Sequence, residues 1–121
     1  MQNSNNLMEY LKAIPHISDP LEQVNEESIV RARLFVEGTK SCLYIFHYDL
    51  NEGLWLGMVE TAPGFLQFEY YSTLGFIKFA LFSRAACGER DIKIPSFPQI
   101  DHAWIQRPLG QVLIEMRGQR V

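Results

Sequence analysis

The spacing of apolar residues changes along the chain, and each change marks an element. Leu7, Leu11 and Ile14 recur at four and three residues, which predicts a short helix capped by Asn5 or Asn6 and ended by Pro15 and Pro20. The acidic segment Asp19–Glu27 fits a short helix or a loop. From Ile29 the period drops to two: Val30, Ala32, Leu34 and Val36 alternate with Arg31, Arg33 and Phe35, the pattern of a half-buried strand. Gly38 marks a turn. Ser41–Tyr48 is almost continuously apolar or aromatic, as in a central strand covered on both faces or one that keeps an aromatic face open. Asp49-Leu50-Asn51-Glu52-Gly53 and Ala62-Pro63-Gly64 supply turn chemistry around a returning strand, Leu54–Thr61. A further strand, Phe65–Tyr71, places Leu66, Phe68 and Tyr70 on one face and Phe65, Gln67, Glu69 and Tyr71 on the other.

Short turns between successive strands impose antiparallel neighbours. Ser72 or Thr73 then caps a helix on which Leu74, Ile77 and Leu81 recur, ending near Ala85–Gly88. Asp91–Ile94 reads as a short strand. Gln111–Met116 admits two readings. Pro108 favours a helix from Arg107, whereas Val112, Leu113 and Ile114 suit an edge strand, the preferred reading. The expected architecture is one α+β domain over residues 1–121, with residues 1–6 frayed. It has a four- to five-stranded antiparallel meander, an N-terminal helix and a helix after the fourth strand.

Composition agrees with a packed core: 47% of residues are hydrophobic and 21% charged, which excludes a disordered chain. The net charge of −3 is unevenly spread. Residues 1–60 hold four basic and nine acidic side chains, a net of −5, and residues 61–121 hold seven and five, a net of +2. Glu22, Glu26 and Glu27 read as a solvated face, and no polybasic nucleic-acid footprint is present. No apolar run approaches the roughly 18 residues of a spanning helix, and the N-terminal residues are not expected to act as a signal peptide. A cytoplasmic protein with reduced Cys42 and Cys87 is expected, with no membrane association.

Candidate chemistry is sparse. His47 and Asp49 share a strand face, and Asp101 and His102 sit in a later loop; together they would be a metal or acid–base cluster only if the fold joined them. Cys87, at a helix C-terminus, lacks the environment that activates a thiol. A small enzyme or ligand-binding domain around His47, His102 and Cys87 is therefore an alternative rather than the leading reading, and no cofactor is implied. Neither a phosphate-binding glycine loop nor a nucleophile elbow occurs. Glu89, Arg90 and Asp91 form the densest charge triplet, read as a structural clamp or surface pair.

The aromatic residues Tyr44, Phe46 and Tyr48 are expected on one strand face, where rings can stack single-stranded nucleic acid. Only Lys40 lies nearby, and Asp49 and Glu52 oppose phosphate. Aromatic core or a protein-binding surface is thus preferred, with Trp104 as a further contact residue. A homodimer through Val30–Val36 or Gln111–Met116 is a further expectation.

Five short runs, Arg33-Leu34-Phe35, Cys42-Leu43-Tyr44, Trp55-Leu56-Gly57-Met58-Val59, Phe68-Glu69-Tyr70-Tyr71-Ser72-Thr73-Leu74 and Gly88-Glu89-Arg90-Asp91, follow in this order. Together they resemble a small domain of unknown function carried by plasmids, integrative elements and phages. The resemblance spans about residues 29–95 and brings no catalytic residues with it. It implies an accessory protein of a mobile element, with inhibition of a host defence system as one specific role. The function expected on these grounds is a non-enzymatic protein-binding accessory protein.

Overall fold

A computed structural model of the chain describes residues 4–12, 14, 16–17, 24–50, 52–62, 65–86, 88 and 97–118. The elements in chain order are α1 (Ser4–Lys12), β1 (His16–Ile17), β2 (Ile29–Val30), β3 (Ala32–Phe35), β4 (Cys42–Asp49), β5 (Leu54–Ala62), β6 (Phe65–Tyr71), α2 (Thr73–Ala86), β7 (Gln99–Ile100), β8 (Arg107–Pro108) and α3 (Leu109–Gly118).

The sheet runs β6-β5-β4-β3-β7 with antiparallel neighbours throughout, so the meander is as the turns require and β7 adds a fifth strand. The two residues of β1 lie parallel to the far end of β4. Gly53, at φ +69°, closes the β4–β5 turn; its N–H donates to the Asp49 carbonyl (2.8 Å) and the Glu52 N–H to Asp49 Oδ1 (3.2 Å). The strand expected over 29–36 divides at Arg31. Its N–H donates to the Ile45 carbonyl (2.8 Å), but β2 turns away to pair with β8.

Strand alternation sorts side chains onto two faces. One carries Ala32, Leu34, Leu43, Ile45, Trp55 and Tyr71 and is closed by Leu7 and Leu11 of α1 and Phe76 of α2. Side chains of the neighbouring strands close over Gly57: a Cβ there would lie 3.0 Å from Leu43 Cδ1 and 3.1 Å from the Tyr71 ring, so a larger residue would have to push one of them aside. The second face carries Val30, Tyr44, Phe46, Leu56 and Met58, and is roofed by Leu109 and Val112 of α3.

Two expectations change here. α1 begins at Ser4, so Asn5 and Asn6 lie within the helix rather than before it. Residues 111–116 are helical, not an edge strand. Leu109, Val112, Leu113 and Met116 follow helical spacing onto the second face, and Ile114 is 69% exposed. The helix start is satisfied from outside: the Leu109 N–H donates to the Ser28 carbonyl (2.8 Å) and the Gly110 N–H to that of Glu26 (2.9 Å). The helix after β6 begins as read, with Ser72 Oγ accepting from the Gly75 N–H (3.1 Å). No helix among the described residues is long and apolar enough to cross a membrane.

Burial also gives the fold an alkaline limit. It pushes the Tyr71 phenol well above its usual range, with the Glu69 carboxylate adding to the effect, and it raises Tyr10 and Tyr44 as well. A folded-state pKa above the unfolded one contributes stability that is complete below the unfolded value, about 10, and is lost as pH rises further. Urea midpoints are therefore expected to fall steeply above about pH 10, and Tyr71→Phe should shallow that fall. An equal slope in Tyr71→Phe would exclude Tyr71 as the cause.

Candidate functional site

The second face is only partly roofed, and its two uncovered regions differ in chemistry. On the β3 side, Arg33 and Tyr44 are cross-strand partners and so project together toward α3. The 101–107 loop and α3 complete a cleft of about 220 Å³ lined by Arg33, Tyr44, Asp101, Ala103, Trp104, Arg107, Val112, Glu115 and Met116. Three hydrogen bonds seat the loop: the Asp101 N–H donates to the Arg33 carbonyl (3.0 Å), the Ala103 N–H to Asp101 Oδ1 (3.0 Å) and the Trp104 indole N–H to the Val30 carbonyl (3.0 Å).

Each guanidinium in the cleft has a carboxylate. Arg33 Nη1 donates to Asp101 Oδ2 (3.2 Å), and Arg107 Nε donates to Glu115 Oε2 (2.9 Å). Arg107 also lies 3.9 Å above the centre of the Trp104 ring, which packs at 5.7 Å against Tyr44. These pairs neutralise the cleft and fasten α3 and the 101–107 loop to the sheet. Arg33 Nη2 reaches Cys42 Sγ (2.9 Å). Burial pushes the Cys42 thiol up and outweighs the opposing pull of Arg33, so the group is a protonated thiol near neutral pH and a poor nucleophile.

On the opposite side of this face lies β6, with β5 beside it and no neighbour beyond it among the described residues. Phe68 faces Met58 and packs 5.9 Å from Phe46, and Tyr70 faces Leu56. Both stay open to solvent, Phe68 at 44% and Tyr70 at 46%, whereas Phe46, Leu56 and Met58 on the same face are buried in the cluster that Leu109 and Val112 of α3 join.

The aromatics proposed from β4 are placed differently from the expectation of one shared face. Ile45 pairs with Gly57 and His47 with Leu56, so Phe46 is an extra residue in a β-bulge. The bulge leaves Tyr44 and Phe46 on the second face and sends Tyr48 to the first, where its ring lies 4.7 Å from Trp55. Tyr44 and Phe46 are core residues, the latter 2% exposed; Tyr48 and Trp104 are half-buried. The open aromatic surface belongs to β6 instead. Its alternation was visible in the sequence, and its exposure follows from its place as the last strand of the meander.

His47 sits on β4 on the second face, whereas His102 meets Tyr10 of α1 edge-on at 6.3 Å. Asp49 is buried at the β4–β5 turn, and Asp101 holds Arg33. Among the described residues no three His, Cys, Asp or Glu side chains are grouped to hold a metal ion. Cys87, the Glu89-Arg90-Asp91 triplet and the strand expected at 91–94 lie outside the described residues. Comparison with protein-family models, curated proteins and solved structures returns no match.

Proposed function

We propose that this is a non-enzymatic protein-binding accessory protein that docks its partner on the unroofed half of the second sheet face. The supporting observation is the exposure of Phe68 and Tyr70 on a face whose other half is covered by α3. Rigid aromatic rings anchored on a strand supply contact area with little entropy to lose, and large open apolar groups of this kind mark contact surfaces. The mobile-element context implied by the resemblance over residues 29–95 makes a host defence component the partner class proposed. Single-stranded nucleic acid is a poorer occupant of the same rings. β6 contains Glu69 and no Lys or Arg, and the guanidinium groups of the cleft are bound to Asp101 and Glu115.

Capture from host lysate tests this reading. The wild-type chain is expected to retain one protein reproducibly. A Phe68→Glu/Tyr70→Glu variant should lose it, while Phe82→Glu, on the exposed side of α2, should keep it. Retention by the double variant, or no reproducible protein at all, would refute the proposal.

A further inference from the structure

Among the described residues, the two ends of the sheet are guarded unequally. At one end β7 is only two residues long, too short to template a foreign strand. At the other, β6 offers seven residues with no proline, no lysine and a single charge, Glu69. Phe65, at the start of that strand, is 70% exposed. Edge strands usually carry protective devices against pairing, and β6 has almost none.

The strand is also complementary to itself. Phe68 is its central residue. Antiparallel pairing about a two-fold axis through Phe68 sets Gln67 opposite Glu69 of the second copy, Leu66 opposite Tyr70, Phe65 opposite Tyr71 and Phe68 opposite itself. This register uses all seven residues and pairs each carboxylate with an amide. The same two groups already bond within one chain, where Gln67 Nε2 donates to Glu69 Oε1. An axis through Glu69 would oppose two carboxylates, and an axis through Gln67 would align only five residues and place Glu69 against Phe65.

We propose that the β6 edge pairs with the β6 edge of a second copy of this chain, joining two sheets into one through the Phe68-centred register. The expected edge strands Val30–Val36 and Gln111–Met116 cannot serve: β3 is internal to the sheet and residues 111–116 are helical. The contact uses the edge of β6 rather than its open face, so it goes beyond the docking reading above. It would place Leu66, Phe68 and Tyr70 of both copies side by side on one continuous surface.

Charge exchange at position 67 tests the register without touching that surface, because Gln67 lies on the face opposite Phe68 and is itself exposed. Sedimentation equilibrium at low ionic strength should show a reversible dimer. Gln67→Glu, which sets carboxylate against carboxylate twice, should weaken it about tenfold, and Gln67→Lys should tighten it by a comparable factor. Gln67→Glu/Glu69→Lys, which again sets opposite charges against each other twice, should bind as tightly as Gln67→Lys. A wild-type chain that stays monomeric at millimolar concentration would overturn the proposal. So would a dimer that Gln67→Glu and Gln67→Lys leave unchanged or shift in the same direction. Partner capture by a monomeric chain would leave the docking proposal standing, so the two fail separately.

Discussion

Phe76→Ala is expected to lower the unfolding free energy by about 3–5 kcal/mol, the range for truncating a buried phenylalanine. Phe76 is the fully buried side chain through which α2 enters the first core. Its ring lies 5.7 Å from Tyr71 and nearly parallel to it, at 5°, and 5.5 Å from Trp55. The neighbours leave little room for collapse: Tyr71 is wedged against Gly57, and Trp55 donates its indole N–H to the Leu11 carbonyl (3.4 Å). Truncation therefore leaves a cavity rather than a repacked core. A domain of this size has roughly 5–15 kcal/mol in total, so the loss is a large share of its stability. Urea unfolding followed by Trp fluorescence measures the loss. Phe82→Ala, on the exposed side of the same helix, should change stability by less than about 0.5 kcal/mol. Equal losses in the two variants would mean that α2 is not held through Phe76.

The first core is also the part of the molecule most legible in the sequence. Local signals agree there: period-two alternation on β3 and β6, glycine turns at residues 38 and 53, and a serine cap at residue 72 all point to one meander and one helix. The second face depends on contacts that local pattern does not encode. Val112, Leu113 and Ile114 have the composition of a strand, but α3 is decided by carbonyls of Glu26 and Ser28, more than 80 residues earlier in the chain, which accept its first N–H groups. The bulge at Phe46 shifts register by one residue, and a shift of one reverses the face of everything beyond it, so Tyr48 parts from Tyr44. The cleft is harder still, because it joins Arg33 to Asp101 across 68 positions and depends on α3 being a helix. Exposure of Phe68 and Tyr70 needed one fact beyond alternation, namely that among the described residues β6 has a neighbour on only one side.

Trp104→Ala should release the roof of the second face, with a stability loss of about 2–3 kcal/mol, below the value for a fully buried tryptophan because the ring is half-buried. Three contacts end with it: the indole N–H to the Val30 carbonyl, the packing on Tyr44 and the surface under the Arg107 guanidinium. The first ties the 101–107 loop to β2. The last orients Arg107, whose Nε holds Glu115 and whose Nη1 donates to the Ile105 carbonyl (2.7 Å), so one side chain links loop, strand and α3. Trp104→Phe separates these effects, since it keeps an aromatic face for Arg107 and loses the N–H, and should cost about 1 kcal/mol. Both variants retain Trp55, the other of the two tryptophans, as a reporter of the first core. Hydrogen exchange distinguishes a local from a global effect. In Trp104→Ala, amides of α3 should lose more protection than those of β4 and β5, and Trp55 emission should stay native. If all three elements lose protection equally, α3 is part of one cooperative unit with the first core rather than a separately fastened roof. The Phe68–Tyr70 surface would then be set by the whole fold and not by how far that roof extends.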